Sequence, residues 1–364
     1  MKRLLLLLLV ITFGCSMDPK KNLDQLFGNE FKDNEPGAAV LLSVKGDTLI
    51  QKGYGIADTQ SKEKITNATL FNIGSITKTV VSNTILKLAE EGKLSLNDSL
   101  SKYFHDFKNP KIANQVKLHF MLTHTSGLPD NRRKFLDAPY LLSADDQQNW
   151  DPIELNDSLA FEPGSHFEYS NPAFDGLALI IQKVSDRKWQ EVVADKIFKP
   201  AGMLNSKITD GAFPTSGVAH GYINVLGEFT ERDYGEEPTF AAAGNGGVWS
   251  SIKELAKYEQ AIQKATFLKK ETIDQSRSIM KYSNWADKNE PFMGYAWFIT
   301  TTEDGAKVFS HTGTQGGFYA DYVSIPEKEI FYVVLANRPF PREDFRKKIF
   351  ETIGVKLKEI YVPK

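Results

Sequence analysis

The chain is 364 residues long, 25% charged and 41% hydrophobic, with 44 basic against 46 acidic residues and a formal net charge of −2. Balanced charge, with no basic run and no interleaving of aromatic and basic side chains, argues against a nucleic-acid partner. A single cysteine excludes an internal disulfide, and the six histidines, at 105, 119, 124, 166, 220 and 311, offer no pair at helical ligand spacing, so no metal and no other cofactor is expected.

Met1 to about Gly14 reads as a targeting segment: Lys2 and Arg3 form a basic start, and Leu4–Ile11 is an apolar run too short to span a bilayer permanently. Gly14-Cys15-Ser16 follows, and Cys15 is the single cysteine. Its place resembles the bacterial lipoprotein signal, in which the chain is cut before the cysteine and that residue is acylated. Thr12 and Phe13 depart from the usual Leu-Ala, so ordinary cleavage and release stands as the alternative. On either reading the mature protein is exported, to the bacterial cell envelope or periplasm, with a membrane anchor at Cys15 if it is lipidated. The residues from 16 to 364 suffice for one large domain, read here as a monomer.

Met17–Pro36 is polar and then amphipathic around Leu23, Leu26, Phe27 and Phe31, which predicts a tether and a first helix. Ala38–Val44 and Thr48–Ile56 are β-rich runs on either side of Lys45-Gly46-Asp47, the pattern of a hairpin. Phe71-Asn72-Ile73-Gly74 then leads into a segment where Ile76, Val80, Val81, Ile85, Leu88 and Ala89 recur at helical spacing until Gly92. This predicts a buried amphipathic helix with Ser75 in its first turn and Lys78 one turn on, along the same face. A lysine beside apolar neighbours loses hydration, its pKa falls, and the neutral amine can take the serine proton. Ser75 would then be a nucleophile with its own base. Spacing alone decides little, because Ser61, Ser99, Ser185, Ser250 and Ser278 also carry lysine three residues on.

From Asn97 to about Glu231 helical patterns and loops dominate. Leu118–Leu122 leads into the loop Thr123 to Pro129, where His124 reads as structural. Phe161-Glu162-Pro163-Gly164 is turn chemistry; Tyr169-Ser170-Asn171-Pro172 precedes the apolar helix Ala173–Val184, with Asn171 in a helix-capping position. The small-residue stretch Ala241–Ser251 predicts a loop of close approach, followed by a helix over Ile252–Ala265. Strands return over Gly294–Thr301, Lys307–His311, Phe318–Ile325 and Ile330–Ala336, with a loop from His311 to Gly317 between them, and Arg342–Gly354 closes as a helix. This order predicts an α+β fold, a mostly antiparallel sheet built from both chain ends (about 22–70 and 240–364) and flanked by helices, plus a mostly helical lobe (about 75–235). A cleft between lobe and sheet is where a site would form.

Ser75-Ile76-Thr77-Lys78, Tyr169-Ser170-Asn171 and His311-Thr312-Gly313, in this order, resemble the penicillin-recognising serine hydrolases: the branch of class C β-lactamases, D-Ala-D-Ala carboxypeptidases, D-aminopeptidases and esterases. Leu122–Pro129, Phe161–Asn171 and Gly244–Ser251 resemble its accessory stretches, so the likeness runs from about residue 35 to 338. The resemblance implies a β-lactamase/transpeptidase-like fold in one catalytic domain. It implies that Ser75 is acylated, that Lys78 and Tyr169 share the proton traffic, and that Asn171 hydrogen-bonds Lys78 and the substrate amide. It further implies that His311, Thr312 and Gly313 line the opposite wall, and that the backbone N–H groups of Ser75 and Thr314 form an oxyanion hole. A cationic lysine would favour the Tyr169 phenolate. The departure is His311, where many penicillin-binding members carry lysine; histidine offers a weaker, pH-dependent charge and puts efficient β-lactam hydrolysis in doubt. The expected substrate is a D-amino-acid peptide or an ester. The alternative is a penicillin-binding sensor or peptide-binding protein without turnover.

Overall fold

The computed structural model describes residues 18–134, 143–209, 213–214, 216–231 and 243–358. The targeting segment with Cys15, and parts of the loops around Asn131–Trp150 and Tyr222–Phe240, lie outside the described residues.

The central sheet is antiparallel and six-stranded: β1 (Ala38–Val44) and β2 (Asp47–Tyr54) come from the start of the chain, and β8 (Phe298–Thr301), β9 (Lys307–Gln315), β10 (Phe318–Ile325) and β11 (Ile330–Ala336) from its end, in the order β2-β1-β11-β10-β9-β8. The two ends meet through β1 and β11, with Ala38 opposite Ala336 and Val44 opposite Ile330. β11, Ile-Phe-Tyr-Val-Val-Leu-Ala, is buried throughout because both faces of the sheet are covered. Alternation sorts its side chains: Phe331, Val333 and Leu335 join the core under the helical lobe. Tyr332, Val334 and Ala336 join a second core under the helices Pro19–Glu30 and Arg342–Thr352. The expected sheet from both ends, with helices on its faces and a helical lobe, is the observed architecture.

Small sheets join the two layers. β3 (Phe71–Asn72) and β4 (Lys207–Ile208) flank β7 (Val248–Ser250), and β5 (Tyr222–Val225) pairs with β6 (Glu228–Glu231). Two buried ion pairs tie helices to β10. Arg346 donates from both Nε and Nη2 to Asp321, and Arg277 donates to Glu259, which also accepts from Ser324 at 2.6 Å.

Three expectations shift. Residues His311 to Gln315 continue β9 rather than forming a loop, because β10 pairs with them as far as Phe318 opposite Gln315. Gly294 to Trp297 fall outside β8, which pairs with β9 only from Phe298 opposite Ser310 to Thr301 opposite Lys307. The serine helix Thr77–Glu90 is buried on its polar side as well as its apolar one. Its hydroxyls and amide are satisfied internally: Ser82 Oγ donates to Tyr295 O at 3.1 Å and Asn83 Nδ2 to Tyr258 Oη at 2.7 Å.

Candidate active site

Short β3 delivers the serine. Phe71 and Asn72 pair with Ser250 and Trp249, Ile73 N donates to Val248 O at 3.0 Å, and Asn72 Oδ1 receives Gly74 N at 2.8 Å. The chain then turns at Gly74 with φ +51°, where a Cβ would stand 2.8 Å from Thr314 N. Glycine is required for the backbone angle and for the approach to β9. Gly313 answers from the other side: a Cβ there would lie 2.1 Å from Ile73 O. Ser75 therefore sits in a 3-10 turn, Gly74–Ile76, just ahead of the α-helix that carries Lys78. Beyond Ser310, β8 no longer pairs with β9, so residues 311 to 315 have β10 on one edge and the serine turn near the other.

Lys78 is fully buried. Its Nζ lies 3.0 Å from Ser75 Oγ and donates to Asn245 O at 2.7 Å. It also stands 5.1 Å from the centroid of the Tyr169 ring and 5.8 Å from that of Phe174. Burial drives its pKa down to about 7, against the attraction of the Asp175 carboxylate and with help from the Arg132 guanidinium. A neutral amine in this place accepts from the Ser75 hydroxyl while one of its N–H groups stays on Asn245 O.

Tyr169 is half-buried, and its phenol interacts with the Ser75 hydroxyl. Burial raises its pKa above the ordinary phenol value, and the Ser75 interaction opposes that only in part. The shift runs against the expected phenolate: with Lys78 neutral, no cation stabilises the anion, and Tyr169 rests as a phenol. His124 packs against the ring at 4.3 Å between centroids, nearly parallel. Its Nδ1 accepts from Ser170 N at 3.0 Å, and burial keeps it neutral. The sequence reading made His124 structural without placing it beside Tyr169.

Two further expectations change. Asn171 does not cap its helix: its backbone is already helical, at φ −68° and ψ −50°, and its side chain makes no capping hydrogen bond. The acceptor expected of it at Lys78 is instead the Asn245 carbonyl. His311 is 1% exposed and lies next to Lys78, so burial first and that neighbouring charge second push its pKa down to about 3. It is neutral at physiological pH, with Nδ1 2.7 Å from Thr312 O, and supplies no pH-dependent cation. Thr312 is buried beside it in β9, and Thr314 is exposed at the mouth.

Sequence reasoning missed the polar layer behind Lys78. Asp175 accepts from Asn245 N at 3.1 Å and from Asn245 Nδ2 at 2.9 Å, and Asp146 accepts from Gly244 N at 2.7 Å. Arg132 donates to Asp130 and Asn149 and places Nη1 3.8 Å from Asp175 Oδ2. The available signal was Asp175 itself, an acid inside the apolar run Ala173–Val184 that no surface face accounts for. Among the described residues no group of three or more His, Cys, Asp or Glu side chains is arranged to hold a metal ion.

A family model described as Beta-lactamase matches residues 23–353. Protein flp of Staphylococcus aureus (strain NCTC 8325 / PS 47) is 28% identical over 331 residues, which cover 88% of this chain and 63% of that protein. Penicillin-binding protein 4* of Bacillus subtilis (strain 168) is 24% identical over 342 residues, covering 88% and 72%. The chain thus spans a little under two thirds of the length of the Flp proteins. Among solved structures, the octameric penicillin-binding protein homologue from Pyrococcus abyssi superposes with a TM-score of 0.75 at 26% identity, over 92% of this chain and 77% of that one. The D-amino acid amidase from Ochrobactrum anthropi SV3 does so with 0.76 at 20% identity, over 93% and 99%. The family match takes in both faces of the sheet and all three motifs, and this chain belongs to the Beta-lactamase family.

Proposed function

We propose that this protein is an exported serine hydrolase that cleaves an amide or ester through an acyl-enzyme on Ser75. The observation that carries the reading is the buried Lys78 amine, 3.0 Å from Ser75 Oγ and poised to lose its proton near pH 7. Neutral Lys78 takes the proton as Ser75 Oγ attacks the carbonyl. Negative charge developing on the carbonyl oxygen is met by the N–H groups of Ser75 and Thr314, which the contact between Gly74 and Gly313 brings together. Tyr169, a neutral phenol in contact with Ser75, passes its proton to the departing amine or alkoxide and is reprotonated by the Lys78 ammonium, which returns the amine to the neutral state that then activates the water releasing the acyl group.

The outer edge of β9, unpaired by β8 beyond Ser310, gives an extended peptide a strand to lie against, with Asn171 available to its amide. Neutral His311 offers no counter-ion to a free carboxylate beside the scissile bond. That favours D-amino-acid amides, peptides cut from the N-terminal side, and esters over β-lactams and terminal D-Ala-D-Ala. Lipidation at Cys15 and attachment to the cell envelope complete the proposal, on the strength of the apolar run and the Gly-Cys-Ser that follows it.

A mass-spectrometric screen of ester, D-peptide amide and β-lactam substrates against wild type and Ser75→Ala tests it. The expected result is an acyl adduct on Ser75 with turnover of amide or ester, both lost in the variant. A stable adduct without turnover would support a sensor instead, and turnover surviving in Ser75→Ala would end the proposal. Labelling with an alkynyl fatty acid, absent in Cys15→Ser, checks the anchor.

A further inference from the structure

The carbonyl that receives Lys78 is itself held by a buried acid. Asn245 is gripped at two points by one carboxylate: its backbone N–H reaches Asp175 Oδ1 at 3.1 Å, and its side-chain Nδ2 reaches Asp175 Oδ2 at 2.9 Å. Asp175 is 0% exposed and lies on the helix Pro172–Ser185, close behind Tyr169 in the chain. One short segment therefore carries both the phenol on one side of Lys78 and the acid that fixes the acceptor on the other.

A neutral amide could hold the turn at Asn245 equally well, and a charge buried this deeply is costly. It is also incompletely neutralised. Arg132 approaches Asp175 Oδ2 only to 3.8 Å while it donates to Asp130 and Asn149, and a second acid, Asp146, whose pKa burial and Asp175 push well up, stands close by on Gly244 N. Burial accordingly lifts the Asp175 pKa to about 6, so the group is ionised at neutral pH but not far above its midpoint. The groups around Lys78 define what this charge does. Tyr169, His124 and His311 are neutral, Arg132 disfavours the ammonium, and the Asp175 carboxylate favours it.

We propose that Asp175 is a positioning residue for the general base: through Asn245 it fixes the carbonyl on which the Lys78 amine rests, and its negative charge keeps that amine able to accept the serine proton. This rests on the reading of Ser75 and Lys78 as the acylating pair.

The test is the pH profile of kcat/KM for a chromogenic ester, measured on the full chain with Asp175→Asn and Asn245→Ala. In Asp175→Asn the new carboxamide can still accept from Asn245 N and, with the Asn245 amide turned over, donate to its oxygen, so shape is kept while charge is lost. The acid limb is expected to move to lower pH by at least about half a unit, because Lys78 gives up its proton more readily without the carboxylate. Asn245→Ala keeps the backbone carbonyl but removes one of the two bonds that hold it, and kcat is expected to fall about tenfold with KM little changed. A folded Asp175→Asn whose acid limb does not move overturns the inference. If that variant does not fold, a folded Asn245→Ala with wild-type kcat overturns it instead. Failure of the underlying reading looks different: wild type that a fluorophosphonate does not label on Ser75 would sink the acyl-enzyme itself.

Discussion

Replacing Gly313 by alanine tests whether the approach of strand and serine turn makes the oxyanion site. The added Cβ would stand 2.1 Å from Ile73 O and 3.2 Å from the Ala320 Cβ, so no side-chain adjustment relieves it. Restoring an ordinary contact of 3.4 Å requires β9 and the turn to part by about 1.3 Å. Thr314 N–H, the next residue, moves with the strand. A donor displaced by more than an ångström no longer reaches an oxyanion bound at Ser75, and losing one such donor costs about 100- to 1000-fold in kcat. The crowding should also cost about 1–3 kcal/mol of stability. Steady-state kinetics with a chromogenic ester, alongside thermal unfolding, separates the two effects. Gly28→Ala is the control: nothing lies within 4 Å of a Cβ there, in the helix Pro19–Glu30, so it should leave kcat unchanged and add about 0.5–1 kcal/mol. A folded Gly313→Ala with kcat within about threefold of wild type would refute the assignment of Thr314 N–H as a donor.

Because Lys78 must be neutral to act and titrates near pH 7, kcat/KM should rise tenfold per pH unit below that value and level off above it; stopped-flow acylation between pH 5 and 9 checks this. A maximum on the acid side of pH 6 would contradict it. Tyr169→Phe should slow amide substrates at least about tenfold more than activated esters, since an amine must be protonated to leave; equal losses would remove Tyr169 from that step. Nitrogen-15 NMR should find the His311 imidazole neutral and unchanged from pH 7.5 to 5, given its pKa of about 3; titration near 6.5 would restore the pH-dependent cation. Arg346→Met, which strands buried Asp321, should cost about 3–5 kcal/mol in denaturant unfolding while the folded fraction keeps wild-type kcat.

The sequence by itself determined the elements whose local chemistry is strong. The hairpin around Lys45-Gly46, the run Ile330–Ala336 and the helix that Pro172 opens declare themselves through period, turn residues and a proline in the first turn. The spacing also puts Ser75 and Lys78 on one face a turn apart, though the 3.0 Å contact itself needs the turn at Gly74 and the Asn245 carbonyl that the fold supplies. Tertiary structure decided everything that depends on burial and on distant partners. Whether His311 or Tyr169 is charged is a matter of desolvation, which has no signature in neighbouring residues. The acceptor of Lys78 turned out to be a backbone carbonyl at Asn245, and backbone groups look alike in every sequence. Asp175 was visible as an acid in an apolar helix, yet its purpose emerged only when the fold set it against a turn 70 residues away. Short-range geometry is written in spacing; protonation and support come from what the folded chain excludes from water.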